Sequence, residues 1–289
     1  MRFTYAEAMT DPRFYGPLAQ AAEAAGFDGF LVPDSICYPA ESDATYPYTP
    51  DGDRTFIQGK AFLEPFSLIP ALGAVTERIR FVVSVLKLTV RHPVLVAKQA
   101  ASTAVLTGDR LVLGVGTSPW PEDYEVCGVP FAQRGRRADE SLDVIRGLLT
   151  GDWFEHHGEI YDVPRIQQCP VPGRLPILVG GHAEPALRRA ALRGDGWIHG
   201  GGGDDLAHLV ARVQELRREA DRSDEPFEIH VISTDAYTLA GIERLEAMGV
   251  TDVIVGFRWP YQTGPDTEPL DAKVDALGRY AADVIARAR

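Results

Sequence analysis

The residues with the most chemical potential in this sequence stand directly after short apolar runs. Glu7 follows the first run and could act as an acid or base, or be a structural carboxylate that is buried with a partner. His199 ends a later run and could donate to a substrate or coenzyme, or be a satisfied core histidine. Only His182 and His199 are histidines at such positions. A metal hydrolase needs several converging ligands, so we predict no metal site.

A second pattern is a buried run that leads through Gly180 and Gly181 to His182 and a helix start. Glycines let a ligand approach the backbone, and the free N–H groups at a helix start favour an anion such as phosphate. A tight strand-to-helix turn would need the same glycines, and Glu184 beside the site disfavours an anion. Both interpretations stay open on this segment alone.

These candidates must be positioned by an alternation of apolar runs and helical patterns. The runs are nearly continuous in apolar residues, as in parallel strands buried on both faces. The predicted strands are Arg2–Ala6, Phe27–Pro33, Ile79–Leu86, Leu111–Val115, Ile177–Val179, Gly196–His199, Phe227–Ser233 and Asp252–Phe257. The helices that can be bounded are Pro12–Ala25, Pro65–Val75, His92–Leu106, Arg134–Leu149, Pro185–Arg193, Asp205–Ala220 and Leu270–Ala288.

Eight strand–helix units in 289 residues have the size and order of a (β/α)₈ barrel, with a doubly wound sheet as the alternative. Two insertions interrupt the rhythm: residues 36–62 after strand 2, and residues 151–174, which resemble a hairpin, before strand 5. The first insertion is a candidate lid or a surface loop. We see no linker and expect a single domain over residues 1–289.

Composition excludes several classes of protein. The three cysteines, Cys37, Cys127 and Cys169, form no C-x-x-C pair, which argues against a disulfide framework and a cysteine zinc cluster. A net charge of −12 without a basic stripe argues against a nucleic-acid partner. The apolar runs are far shorter than the about 20 residues of a membrane helix, and the first residues read as a strand. We expect a cytoplasmic protein without a membrane partner.

Eight further segments, taken in order, carry a family resemblance. They are Thr76-Glu77-Arg78-Ile79-Arg80-Phe81, Arg91-His92-Pro93, Ala97-Lys98-Gln99-Ala100, residues 108–116, Gly128-Val129-Pro130-Phe131, Arg134-Gly135-Arg136-Arg137, Leu187-Arg188-Arg189-Ala190-Ala191 and Gly194-Asp195-Gly196-Trp197. This ordered set closely resembles the bacterial-luciferase-like family of flavin- and deazaflavin-dependent oxidoreductases. The resemblance spans nearly the whole chain and implies a (β/α)₈ barrel that binds FMN or the deazaflavin coenzyme F420.

The resemblance also suggests which coenzyme is bound. Ser84-Val85-Leu86 looks like the third-strand bulge of the deazaflavin branch, where a cis peptide supports the tricyclic ring, and this implies a cis bond between Ser84 and Val85. An ordinary buried strand is the alternative. Asp34 matches an aspartate that accepts a hydrogen bond from the ring hydroxyl in that branch, or it is a turn aspartate. The cofactor-binding residues that we predict are Asp34, Ser84, Val85, Leu86, Gly116, Thr117, Gly180, Gly181 and His182.

The sequence also departs from the family pattern. Ser35 stands where many deazaflavin enzymes have a histidine, and it joins Glu7 and His199 as a candidate catalytic residue. Ala183 replaces the hydroxyl residue often found at the phosphate-binding helix, which leaves backbone N–H groups as ligands. Arg258 and Trp259 are candidates for the substrate wall, or a rim pair that stacks on itself.

The sequence therefore predicts an oxidoreductase that transfers a hydride between F420 and a small organic substrate, and that forms a homodimer. An FMN-dependent monooxygenase and a flavin-binding barrel without turnover are the alternatives.

Overall fold

Parallel strands close a barrel in this computed structural model, which describes residues 1–7, 9–46, 48–49, 51–202, 205–258 and 261–289. The strands are β1 (Arg2–Ala6), β2 (Gly29–Val32), β3 (Arg80–Lys87), β4 (Leu111–Gly116), β5 (Phe154–His157), β6 (Asp162–Ile166), β7 (Ile177–Gly180), β8 (Gly196–Ile198), β9 (Glu228–Ile232) and β10 (Asp252–Val255). The helices are α1 (Tyr15–Ala24), α2 (Pro65–Gly73), α3 (Pro93–Leu106), α4 (Pro121–Val126), α5 (Arg134–Leu149), α6 (Glu184–Arg193), α7 (Leu206–Glu219), α8 (Leu239–Ala247), α9 (Leu270–Tyr280) and α10 (Ala286–Ala288).

The order around the barrel is β1-β2-β3-β4-β7-β8-β9-β10, with β10 paired to β1. All eight pairings are parallel, and helices cover the outside. The predicted (β/α)₈ barrel is therefore confirmed. The two insertions also lie where predicted, because β5 and β6 form an antiparallel hairpin before β7 and residues 36–62 follow β2.

Local sequence explains where several helices begin. The carboxylate of Asp11 accepts from the N–H of Arg13, and Pro12 follows it in a short 3₁₀ turn that leads into α1. Glu64 caps α2 in the same way, with Pro65 at the first helical position. Thr238 caps α8 by accepting from the N–H of Gly241. The sequence pattern alone gave no bounds for this helix. Its nine residues are too short for a clear helical period.

One layer of side chains fills the barrel interior. Six strands each contribute one buried apolar side chain to it, and Ala6 and Val85 pack against the layer. The six are Leu31, Val82, Val112, Leu178, Ile198 and Ile254. Because this layer is packed, the barrel is not a pore, and any ligand must bind above it at the strand ends. Among the described residues, no helix has the length and apolar character needed to cross a membrane.

The amino ends of the strands are closed by a cluster of polar and charged side chains, which we call the basal ion cluster: Arg2, Arg80, Glu228, His230 and Asp252. Glu228, His230 and Asp252 are buried, and the two arginines are partly exposed. Arg80 Nη2 lies 2.9 Å from both Glu228 oxygens, and His230 Nε2 lies 2.8 Å from Glu228 Oε2. Arg2 forms a two-pronged pair with Asp252 at 2.6 and 2.8 Å. Glu228, His230 and Asp252 are spaced as metal ligands could be, but the arginines already supply their positive charge.

The basal ion cluster makes stability depend on pH. Burial alone would raise the pKa of Glu228, but the hydrogen bond from His230 and the charges of Arg80 and Arg2 outweigh burial and lower that pKa to about 2. A carboxyl with a lowered folded-state pKa stabilises the fold above its unfolded pKa of about 4.3. This stabilisation is lost as the pH falls from about 5 towards 2.

Glu228→Gln should lower the free energy of unfolding at pH 7 by about 3 kcal/mol, because it removes the charge that the cluster is built around. Urea unfolding at pH 7, 5 and 3 measures this, and the variant should lose less stability than the parent between pH 5 and 3. Glu243→Gln, at an exposed position of α8, is the control and should follow the parent. Equal pH slopes in Glu228→Gln and the parent would contradict the assignment.

Candidate active site

The base of the candidate site is a bulge in β3. Val83 pairs with Leu113, but the next pair is Leu86 with Val115, so β3 contains one residue more than β4 at this point. The peptide between Ser84 and Val85 is cis, as predicted. Ser84 and Val85 are partly accessible, whereas their neighbours are buried. The bulge therefore turns Val85 towards the barrel axis, where it packs on the interior layer.

Two glycines flank Val85, and we call Val85, Gly116 and Gly180 the floor. A Cβ on Gly116 would lie 2.8 Å from Val85 Cγ2, and a Cβ on Gly180 would lie 2.8 Å from Val85 Cγ1. Neither position has room for a side chain, so the glycines are needed for the packing of Val85. The next residue, Gly181, has a φ of +118°, which favours glycine.

Three predicted cofactor-binding residues line one cavity beside the floor: Gly116, Thr117 and Gly180. The cavity has a volume of only about 10 Å³, and Ala138 of α5 and Arg189 of α6 also line it. Ligand pockets for drug-sized molecules usually enclose about 300–1,000 Å³. A tricyclic coenzyme therefore needs a wider opening than this conformation provides.

Other predicted binding residues lie differently from what we expected. Leu86 is fully buried in the outer core between the strands and helices, so its side chain faces away from the floor. Asp34 is also buried, with a side chain only 1% exposed. Arg91 donates to both of its oxygens at 2.8 and 2.9 Å, and the backbone N–H of Lys87 donates at 2.8 Å. A coenzyme hydroxyl would have to share an oxygen that already accepts hydrogen bonds within the chain.

Glu7 is 4% exposed and belongs to an ion cluster. Lys273 of α9 donates to Oε1 at 3.1 Å, Arg258 donates to the same oxygen at 3.4 Å, and the Tyr5 hydroxyl donates to Oε2 at 2.6 Å. Burial and the neighbouring Glu7 charge raise the pKa of Tyr5 well above its usual value. Glu7 thus has the environment of a structural carboxylate that is buried with partners, which was one of the two interpretations. Its role as an acid or base stays a prediction.

Lys273 connects three carboxylates. Its Nζ lies 3.1 Å from Glu7, 3.0 Å from Asp266 and 3.2 Å from Glu268. Burial alone would lower the pKa of Lys273, but the three carboxylates outweigh burial and raise it. Lys273 therefore stays charged and connects α9 to the strand ends. Neither Lys273 nor Arg91 was singled out from the sequence.

The predicted residues His182 and His199 form a stacked pair, with ring centroids 4.5 Å apart and planes 10° from parallel. His199 is 2% exposed, and its Nδ1 lies 3.1 Å from the carbonyl of Ile232. His182 Nε2 accepts from the N–H of Gly200 at 3.1 Å. In this conformation His182 is nearer the surface and covers His199. Ser35 is partly buried in the segment after β2.

The described residues of the insertion 36–62, which we call the lid, cover the strand ends. The lid has a small apolar core in which Phe56 and Ile57 pack with Met9 and Trp120. The ring of Tyr48 lies 5.1 Å from that of His182 and next to Gly200. A surface loop without partners would not form such a core, so the lid interpretation is supported by packing.

Two cations that the sequence analysis missed contact the ring of Trp120. Lys87 Nζ lies 4.4 Å and the Arg54 guanidinium 4.9 Å from ring centroids of the indole. Lys87 pairs with Asp123 at 2.7 Å, and Arg54 pairs with Glu122 at 3.3 Å. The available signal was a lysine at the end of an apolar strand, in a chain with only four lysines. Trp259 lies outside the described residues.

Comparisons with known proteins agree with this architecture. A family model described as luciferase-like monooxygenase matches residues 3–251. An uncharacterized protein of Mycobacterium tuberculosis is 63% identical over 289 residues, which cover 99% of this chain and 100% of that protein.

Two solved structures share the fold. Monooxygenase RslO1 from Streptomyces bottropensis superposes with a TM-score of 0.76 at 15% identity and covers 100% of both chains. The coenzyme F420 dependent tetrahydromethanopterin reductase from Methanopyrus kandleri has a TM-score of 0.74 at 16% identity, with 100% of this chain and 99% of that chain covered.

The pair between Asp34 and Arg91 gives a stability test. Arg91→Met should lower the free energy of unfolding by about 3 kcal/mol, because it leaves the Asp34 carboxylate buried without its cation. Adding Asp34→Asn in the same chain removes both charges and should restore part of the loss. Urea unfolding at pH 7 measures both variants. Arg188→Met, in an exposed pair with Glu184, is the control and should change stability by less than about 0.5 kcal/mol. A loss in Arg91→Met no larger than the control would refute the pairing.

Proposed function

Because the chain belongs to the luciferase-like monooxygenase family, we propose that it is an oxidoreductase. It transfers a hydride between coenzyme F420 and a small organic substrate. The observation that carries the proposal is the floor, where the β3 bulge holds Val85 between Gly116 and Gly180. A flat tricyclic ring needs an apolar support without side chains that rise on either side. The floor supplies both properties at the carboxyl ends of the strands, where barrel enzymes bind their ligands.

The residues next to the floor also fit the phosphate of such a coenzyme. Gly180 and Gly181 lead directly to α6, and its N-cap residue Ala183 makes no side-chain capping hydrogen bond. Pro185 has no N–H, and that of Ala186 donates to the Ala183 carbonyl at 2.8 Å. The N–H of Glu184 is therefore the donor that this helix start would offer an anion. Thr117 lines the same cavity and adds a hydroxyl.

When bound, the coenzyme supplies the hydride chemistry, and this chain supplies support, orientation and exclusion of water. Val85 supports the ring, and the closed lid excludes water from the reacting atoms. Glu7, Ser35 and His199 remain the proposed residues for proton handling. Glu7 needs a change in its contact with Lys273 for that role, and His199 needs His182 to move.

The main alternative is an FMN-dependent monooxygenase. Both coenzymes have a tricyclic ring and a phosphate, so the floor and the start of α6 suit either one. F420 is favoured by the resemblance of Ser84-Val85-Leu86 and Asp34 to the deazaflavin branch. The fold neighbours include both a monooxygenase and an F420 dependent reductase, and do not favour one coenzyme. A flavin-binding barrel without turnover is the third alternative, and turnover of any candidate substrate would contradict it.

Titration of the purified chain with F420 and, separately, with FMN tests the proposal. We expect saturable binding of F420, followed by its fluorescence, with a Kd at least about tenfold below that of FMN. Tight binding of FMN without affinity for F420 would overturn the choice of coenzyme.

Gly180→Ala should weaken F420 binding by about tenfold or more, because the added Cβ would lie 2.8 Å from Val85 Cγ1 and displace that side chain. The same fluorescence titration measures this. Gly278→Ala adds a Cβ with nothing within 4 Å and is the matched control, which should bind as the parent does. Circular dichroism confirms that both variants are folded. Parent-like affinity in folded Gly180→Ala would argue against the floor as the ring support.

A further inference from the structure

We propose that Lys87, together with Arg54 and Trp120, holds the oxygen of a neutral carbonyl group on an apolar, ring-containing substrate. The proposal rests on the proposed function, because it assigns the substrate class of the same site.

Lys87 is placed to reach a molecule on the floor. It follows Val85 by two residues on β3, and side chains two apart on a strand share a face. Its register partner on β4 is Gly116, which is itself part of the floor. The hydrogen bond from its N–H to Asp34 fixes the backbone at this point. Lys87 therefore lies on the same strand as Val85 and beside Gly116, at the edge of the support proposed for the ring.

The polar atoms in this cluster are mainly donors with hydrogens left over. Lys87 Nζ is buried and has one acceptor, Asp123 Oδ2 at 2.7 Å, for its three hydrogens. Arg54 Nη1 and Trp120 Nε1 are also buried and have no hydrogen-bond acceptor among the residues that the structure describes. Ammonium, guanidinium and indole groups donate but cannot accept. Glu122 Oε2 is a buried acceptor without a donor, so two donor atoms and one acceptor atom of this cluster lack partners among the described residues. Buried donors normally have partners, and the partner that fits is an acceptor oxygen.

The charge around these donors selects a neutral oxygen over a carboxylate. Lys87 is paired with Asp123, and Arg54 is paired with Glu122, so the four side chains are neutral in sum. A substrate carboxylate would bring a further negative charge into a buried place with no cation left for it. Such a charge is strongly disfavoured, whereas a carbonyl oxygen takes the same hydrogen bonds without adding charge.

The surroundings of the donors select an apolar, ring-containing body. Trp120 packs with Met9, Phe56 and Ile57 in the core of the lid. The rings of Tyr46 and Tyr261 lie within 6.2 Å of those of Trp120 or Phe56. An aromatic ligand that replaces part of this packing would keep the apolar contacts of the lid. Its carbonyl oxygen would satisfy the donors at the same time.

Acetophenone and α-methylstyrene are a matched pair of probes, because they differ only by a C=O in place of a C=CH₂ group. Titration of each probe into the protein, with and without bound coenzyme, is followed by ligand-observed NMR. In the parent chain we expect acetophenone to bind at least about tenfold more tightly than α-methylstyrene, because a charged donor strengthens the hydrogen bond. Benzoate, the charged probe of similar size, should bind no more tightly than acetophenone.

Lys87→Met should remove most of the preference for acetophenone over α-methylstyrene, and Lys87→Arg, which keeps a charged donor, should retain part of it. Lys98→Met, at an exposed lysine of α3, should leave the preference unchanged. If Lys87→Met does not fold, the double variant Lys87→Met with Asp123→Asn is used instead, because it removes both charges of the buried pair. Circular dichroism checks the fold of each variant.

Equal binding of the two probes by the parent chain, or no saturable binding of either, would overturn the proposal. So would tighter binding of benzoate than of acetophenone, or an unchanged preference in a folded Lys87→Met variant. The titrations without coenzyme separate this result from the coenzyme assignment. A chain that fails to bind F420 but prefers acetophenone through Lys87 contradicts the proposed function and supports the carbonyl site.

Discussion

The site depends on one extra residue in β3. A regular strand would place Ser84 on the inward face with Val82, and Val85 on the opposite face. The bulge breaks the alternation between Val83 and Leu86 and directs Val85 inward. Its two methyl groups then require glycine at position 116 on β4 and position 180 on β7. Three strands are therefore constrained by a single irregularity, and the cavity lies where their ends meet.

A second constraint is charge. The described carboxylates at the strand ends pair with cations from other segments: Asp34 with Arg91, Glu7 with Lys273, and Asp123 with Lys87. A buried ion pair is weakly stabilising at best, but removal of one partner strongly lowers the free energy of unfolding. The pairs therefore hold the strand ends in one arrangement, and they add little net charge there. The chain carries a net charge of −12, which does not favour an anion. The proposed anionic coenzyme is therefore expected to bind through local N–H groups.

The barrel was predictable because its signal is local. Continuous apolar runs such as Ile177–Val179 identify strands one at a time, and the bulge at Ser84–Val85 was predicted from a family resemblance. The missed residues have a different origin. Arg91 is 57 residues from Asp34, and Lys273 is 266 residues from Glu7. A single sequence shows each charge but not its partner, so the partners of Glu7 and Asp34 could not be predicted.

The tie between Lys273 and Glu7 has a consequence for the order of events during synthesis. Glu7 is synthesised 266 residues before Lys273, the residue of α9 whose ammonium neutralises it. Until α9 has been made, burial of Glu7 would leave a carboxylate without this counter-charge, which favours its exposure to water. Strand β1 can therefore form early, but its end can reach its final environment only after α9 has been synthesised. Completion of the candidate site is in this way coupled to the synthesis of α9.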